Sequence, residues 1–242
     1  MVYKDLGISI GGFDFQSATR VSLDYPSQIS AKRKMGENMK AADQFNFDGP
    51  SEVKLSMDFL LNTDDIHNAY EFLFDSELSE NSNRSGQRNF SINVGGLSYG
   101  SCFIDDYSIN IEPFAPLNGS VNFTCYDPPR GVSITASSDT SQTENRVLHG
   151  YNCSISGVGG VVSSNIVSSI KYTKTFGRTP VYEIGDTNAS SFLIDSIEAE
   201  MTISSTGLES LLAISGNEVV NDIVVGMQST DGSVITPTFT TA

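Results

Sequence analysis

The chain has 242 residues, with 14 basic against 29 acidic side chains and a formal net charge of −15; that balance disfavours a duplex-binding surface, which needs a basic stripe to neutralise phosphates. Only 18% of residues are charged, 38% are hydrophobic, Trp is absent and Gly numbers 21, a mixture that suits a β-rich protein and is too apolar for disorder. The length allows one large domain or two smaller ones, no apolar run is long enough to span a membrane as a helix, and the opening MVYKDLGISIGG lacks the apolar stretch of a secretory signal.

Period-two alternation, the sign of half-buried strands, dominates the chain. Val21, Leu23 and Tyr25 share one face of a strand that Pro26 ends, and Val53, Leu55, Met57, Phe59 and Leu61 form the cleanest alternating run. A helix is expected next, from Asp64 to Leu78. Asn62 or Thr63 caps it, Asp64 and Asp65 favour its first turn, and Ile66, Ala69, Tyr70, Leu73 and Phe74 form its apolar stripe. Phe90, Ile92 and Val94 then lead through Gly95-Gly96 into a strand from Leu97 to Ile104, which reads as a hairpin. Tyr107, Ile109 and Ile111 follow, then Val121, Phe123 and Cys125, and Asp127-Pro128-Pro129-Arg130-Gly131 closes the block.

Residues 136–146 are polar, without periodicity, and read as a linker. Beyond them the earlier order returns. Ile170 and Tyr172 end a strand as Leu23 and Tyr25 do, and Ile197, Ala199, Met201 and Ile203 alternate as Val53 to Leu61 do. Thr206 with Glu209 then makes a capping box for a short helix carrying Leu208, Leu211 and Leu212. This order predicts an internal duplication whose second copy is either shortened or completed by a neighbouring chain.

Candidate chemistry is sparse. Gly96-Leu97-Ser98-Tyr99-Gly100 fits G-x-S-x-G, but a nucleophile elbow needs a helix after the Ser, and here another strand follows. His67 and His149 read as surface residues without metal-ligand spacing. Asp64-Asp65 and Asp105-Asp106 lack the spaced carboxylates and Gly of a calcium loop, and Gly157 to Gly160 precedes a strand pattern, which argues against phosphate cradling. Cys102, Cys125 and Cys153 sit within strand patterns and read as small buried apolar residues of a protein made in a reducing cytoplasm, with no pairing implied. Lys32-Arg33-Lys34 is the basic cluster; it is either a solvated loop or strand edge, or a contact with an acidic patch on a partner. No enzyme is expected, and no cofactor or metal. Residues 179–242 hold nine acids and no Lys or Arg, which reads as a solubilising surface or as an acidic wall that repels a passing polyanion.

The layout of short strands, one flanking helix (Asp64 to Leu78), a long Gly/Asn/Lys-containing loop (Lys32 to Gly49) and a closing strand at Val121-Asn122-Phe123-Thr124 resembles the tail tube proteins of long-tailed bacteriophages and the related inner-tube proteins of contractile injection machines. The resemblance covers most of residues 1–127 and, more loosely, 150–225. It implies a mainly β chain: an antiparallel β-sandwich or barrel of tail-tube type with one flanking helix, in two tandem copies. Residues 1–130 form the first tube-like domain, 131–149 a linker and 150–242 a second, shorter β domain. It further implies homo-oligomeric rings, trimeric for two tube domains per chain and hexameric for one, stacked into a virion tail that contacts other tail proteins. DNA passes through the lumen without specific binding. No membrane is involved, the protein is made in the host bacterial cytoplasm, and Lys32, Arg33 and Lys34 are the candidate inter-subunit contact. Two other readings are a minor tail or baseplate component and a carbohydrate-binding β-sandwich adhesin using exposed aromatics such as Tyr99, Tyr107 or Tyr126.

Overall fold

The computed structural model describes residues 8–11, 13–15, 18–24, 29–32, 45–48, 52–61, 89–127, 129–131, 147–156, 167–185, 188–205, 223–228, 234–235 and 238–239. Both expected helices, the linker segment 132–146, His67, Arg33, Lys34 and Gly157 to Gly160 lie outside them. Among the described residues the chain is mainly β, with antiparallel pairing throughout and a single 3-10 turn at Gly150–Asn152.

The strands are β1 (Ile8–Ile10), β2 (Phe13–Phe15), β3 (Ala18–Asp24), β4 (Ile29–Lys32), β5 (Phe45–Asp48), β6 (Val53–Leu60), β7 (Phe90–Val94), β8 (Leu97–Ile111), β9 (Asn118–Cys125), β10 (Arg130–Gly131), β11 (Cys153–Ser156), β12 (Val167–Tyr182), β13 (Ala189–Ser205), β14 (Ile223–Gln228), β15 (Val234–Ile235) and β16 (Thr238–Phe239). Ten of them form one curled sheet, a half-barrel. β11, β14, β15 and β16 make a smaller sheet, and β4 pairs β5 as a separate hairpin. The stretch expected as a long loop after Lys32 therefore holds the second arm of that hairpin, with Lys32 opposite Phe45.

β8 organises the large sheet. One of its edges takes β9 and then β10, which folds Arg130 and Gly131 back beside Ser98 and Leu97. Its other edge is shared: β7 pairs its first part and β12 pairs Asp106 to Ile111. The middle of the sheet thus runs β3-β6-β9-β8-β12-β13, so strands from both sides of residues 131–149 lie in one sheet. Met57 faces Val21 on the neighbouring strand, and Met201 faces Tyr172. β12 does not end at Tyr172, however, but continues to Tyr182.

Alternation sets which side is buried. Val53, Leu55, Met57 and Phe59 of β6 point into the core while Lys54, Ser56 and Asp58 stay exposed. Ile8, Ile10, Phe90, Ile92, Tyr99, Ile104, Tyr107, Ile109, Val121, Phe123, Ile170, Tyr172 and Phe176 join that core, each large apolar side chain contributing about 1.5–3 kcal/mol of burial free energy. Gly119 has a specific steric role, because a Cβ there would stand 2.6 Å from Cζ of the buried Phe59.

The cysteine expectation is corrected. Cys102 and Cys125 are directly opposed on β8 and β9, both fully buried, and form a disulfide. Period-two spacing within each strand shows that both face the core, but only the β8–β9 register brings them opposite each other. Cys153 remains free and half-buried.

Candidate assembly face

On the side away from the core, registry across six strands builds a polar wall. One row reads Ser22, Ser56, Asn122, Asp106, Thr175, Glu198 from β3 to β13; the next reads Arg20, Asp58, Ser120, Ser108, Thr173, Glu200. A third row runs from Leu60 on β6 through Asn118, Asn110 and Lys171 to Thr202. Six strands at sheet spacing place β3 and β13 about 24 Å apart across this face.

Side-chain hydrogen bonds tie the rows together. Ser56 Oγ donates to Asn122 Oδ1 at 2.6 Å, and Asn122 Nδ2 donates to Asp106 Oδ1 at 2.7 Å. The hydroxyls of Ser108 and Ser120 lie 2.9 Å apart. Charge is balanced at the β3–β6 end, where Arg20 opposes Asp58 and Asp24 opposes Lys54. Toward β13 it turns acidic: Asp106, Glu198 and Glu200 share the face with Lys171. Among the described residues β3 pairs only with β6 and β13 only with β12, so each is an edge strand.

One end of the face is covered. A register slip at Gly177–Arg178 turns the outer half of the β12–β13 hairpin across β8 and β9. Arg178, whose side chain is 2% exposed, pairs with Asp105 Oδ1 at 3.1 Å and donates to the Ile104 carbonyl at 2.8 Å. Its guanidinium lies 4.5 Å from the centroid of the Phe103 ring, a cation–π contact in a largely desolvated setting. Phe192 packs against Phe103 and Tyr126 with centroid separations of 4.5 and 4.7 Å. Farther out, the Tyr182 hydroxyl donates to Glu52 Oε1 at 2.6 Å. Burial pushes the Asp105 carboxyl above its ordinary range, although the Thr124 hydroxyl and Arg178 pull the other way. Burial also raises Tyr126 and Tyr182, the latter further through its bond to Glu52. The Cys153 thiol is pushed up to about 11 by burial alone.

The sequence candidates fall as follows. Lys32 ends β4, at the base of the hairpin connection that contains Arg33 and Lys34. Ser98 follows Gly95 and Gly96, whose φ values of 55° and 86° make the tight hairpin turn, and sits in a strand; the elbow geometry is absent. His149 bridges Pro116 in the turn beyond Ile111, at the opposite end of β8 from Ser98 and about 40 Å away by strand rise, so the two share no site. Asp105 and Asp106 stand on one face because the β8 bulge falls between Ile104 and Asp106. They are held by Arg178, Thr124 and Asn122 rather than arranged for a cation. No group of three or more potential metal ligands exists among the described residues. Tyr99, Tyr107 and Tyr126 are buried, at 2%, 2% and 5% exposure. Among the described residues the exposed aromatics are instead Phe114 and Tyr151, the latter stacked on His149.

No protein-family model and no curated protein matches this chain. The face was missed at sequence level for a simple reason: its residues are ordinary Ser, Thr, Asn and Asp on six separate strands, and registry alone gathers them.

Proposed function

We propose that this chain is a structural ring-forming protein of tail-tube type, in which copies join through their sheet edges and the polar wall lines a conduit for DNA. The observation that carries the reading is the six-strand face: two rows of polar side chains six strands wide, with a third from Asn118 to Thr202 beside them, across a curled antiparallel sheet with an edge strand on either side. Long unpaired edges invite pairing with other chains, and closure into a ring satisfies them. The acidic trend toward β13, with the overall charge of −15, suits a wall past which a polyanion slides, because fixed cations would trap its phosphates. The tail-tube architecture with a flanking helix and two copies, the trimeric or hexameric ring, contacts with other tail proteins and the virion location are parts of the same proposal. The buried Cys102–Cys125 pair fits a particle that spends time outside a reducing cytoplasm. A minor tail or baseplate component would use the same face in few copies.

The adhesin reading loses its three named tyrosines to the core and interior. What supports it now is Phe114 with the His149–Tyr151 stack at the β8–β9 turn. Negative-stain microscopy and light scattering of the purified chain separate the two. Rings or tubes are expected; a compact monomer at high concentration that is retained on glycan columns would overturn the conduit.

A further inference from the structure

The two halves of the β12–β13 hairpin are anchored by different means. Up to Thr175, β12 is laddered by backbone bonds to β8, the last pair being Thr175 with Asp106. Beyond that point no backbone pairing joins the hairpin to the sheet among the described residues; β12 pairs only its own partner strand, from Arg178–Ile194 to Tyr182–Ala189. The outer half is a strap held down by side chains: Arg178 on Asp105, the Ile104 carbonyl and the Phe103 ring, Phe192 on Phe103 and Tyr126, and Tyr182 on Glu52.

The change of direction is also localised. Gly177 opposes Ser196, and a Cβ at Gly177 would come within 2.6 Å of Ser196 Oγ. The next pair is Arg178 with Ile194, so Asp195 is the extra residue of a bulge, and its carboxylate accepts from the Thr179 hydroxyl. Bulges bend a strand and interrupt its ladder, which makes this the place where a turn of the hairpin costs least. On the outside the strap carries exposed Leu193, and its tip carries the fully exposed Ile184; on the inside Arg178 also bonds the Tyr126 side chain, so its hold on the sheet is made by side chains.

We infer that residues 178–185 and 188–194 are the two arms of a strap that opens as a unit about the Gly177–Arg178 bulge while the rest of the sheet stays paired, with the Arg178 seat and the Phe192 aromatic contact as its latch. Opening uncovers Phe103, Tyr126 and the end of the polar face together. It therefore switches that end of the wall between a covered and an accessible state. Local openings of this kind lie at the low-stability end of a fold when few contacts bind a segment to the core.

Amide hydrogen exchange on the whole chain tests this, because a two-stranded ribbon lifted off the sheet is only marginally stable in water and its own cross-strand ladder frays. In the wild type, residues 178–182 and 189–194 are expected to exchange at least about tenfold faster than 170–175 and 198–203. Arg178→Met and Phe192→Ala should each raise strap exchange further by about tenfold or more while leaving 170–175 unchanged. Trypsin gives a second readout: the Arg178–Thr179 bond should be cut readily in Phe192→Ala and slowly in the wild type. Equal protection of both halves of the hairpin in the wild type would overturn the inference, and that comparison stands even if a variant fails to fold. A rise in exchange spread over the whole sheet in either variant, or an uncut Arg178–Thr179 bond in Phe192→Ala, would overturn it as well.

Discussion

Asp105 has an ion-pair partner and a hydroxyl donor, and still its carboxyl titrates above the ordinary range because burial outweighs both. A buried pair need not recover its desolvation cost. The sign for stability follows from linkage. A folded-state value above the unfolded one means that the neutral acid is preferred in the fold. Its contribution is fully present below the ordinary carboxylate range and is lost as pH rises through the raised value. Comparing urea unfolding of the wild type and Asp105→Asn should therefore show the wild type gaining on the variant as pH falls from neutral into the acid range; a gap independent of pH would refute this. The cysteines carry a second expectation at this scale. The disulfide closes a loop with a sequence separation of 23, worth about 3 kcal/mol in the chain-entropy account. Cys102→Ala with Cys125→Ala, or reduction, should lower the unfolding free energy by that order, whereas Cys153→Ala should change it little.

β6 and β9 show how an element's partner depends on a missing side chain. Gly119 opposes Phe59, and the ring occupies the space where a Cβ would be. Gly119→Ala should cost about 1–3 kcal/mol through overpacking, measured by chemical denaturation. The double variant with Phe59→Leu should cost less than the sum of the two single changes, because the pair is in contact. β6 was legible at the sequence level through its unbroken alternation, and so was the β7–β8 hairpin through Gly95-Gly96. β12 was only half legible. Its alternation is interrupted by Lys174, which is buried on the apolar side, and then by Gly177 and Pro180, and neither signal marks a strand. Pairing with β8 and β13 carries the strand through those residues to Tyr182. The bulge that places both Asp105 and Asp106 outward leaves no local trace in composition, whereas the bend of the strap is marked only by Gly177.

For the whole molecule, the decisive property is what the two edge strands do when copies meet. If the Lys32 hairpin bridges subunits, charge reversal at Lys32, Arg33 and Lys34 should shorten or abolish the tubes seen by microscopy while leaving the monomer's unfolding curve in place. Unchanged tubes would assign this cluster to solvent. The net charge of −15 adds a salt dependence: repulsion between like-charged copies is screened by added salt, so tube yield measured by light scattering should rise from low to moderate ionic strength.

By itself the sequence determined that this is a β-rich chain and, in segments of unbroken alternation such as Val53 to Leu61, which side of the strand faces the core. Those properties follow from the order of side chains along one strand, where the period of two is set by the backbone. The tertiary structure decided everything that depends on register between strands: the Cys102–Cys125 pairing, the polar rows six strands wide, the joining of the β3–β6 pair and the β12–β13 hairpin to a common sheet, and the seat of Arg178 beneath the strap. Register is chosen by the combined packing of many side chains across neighbouring strands, and no single segment of sequence contains it.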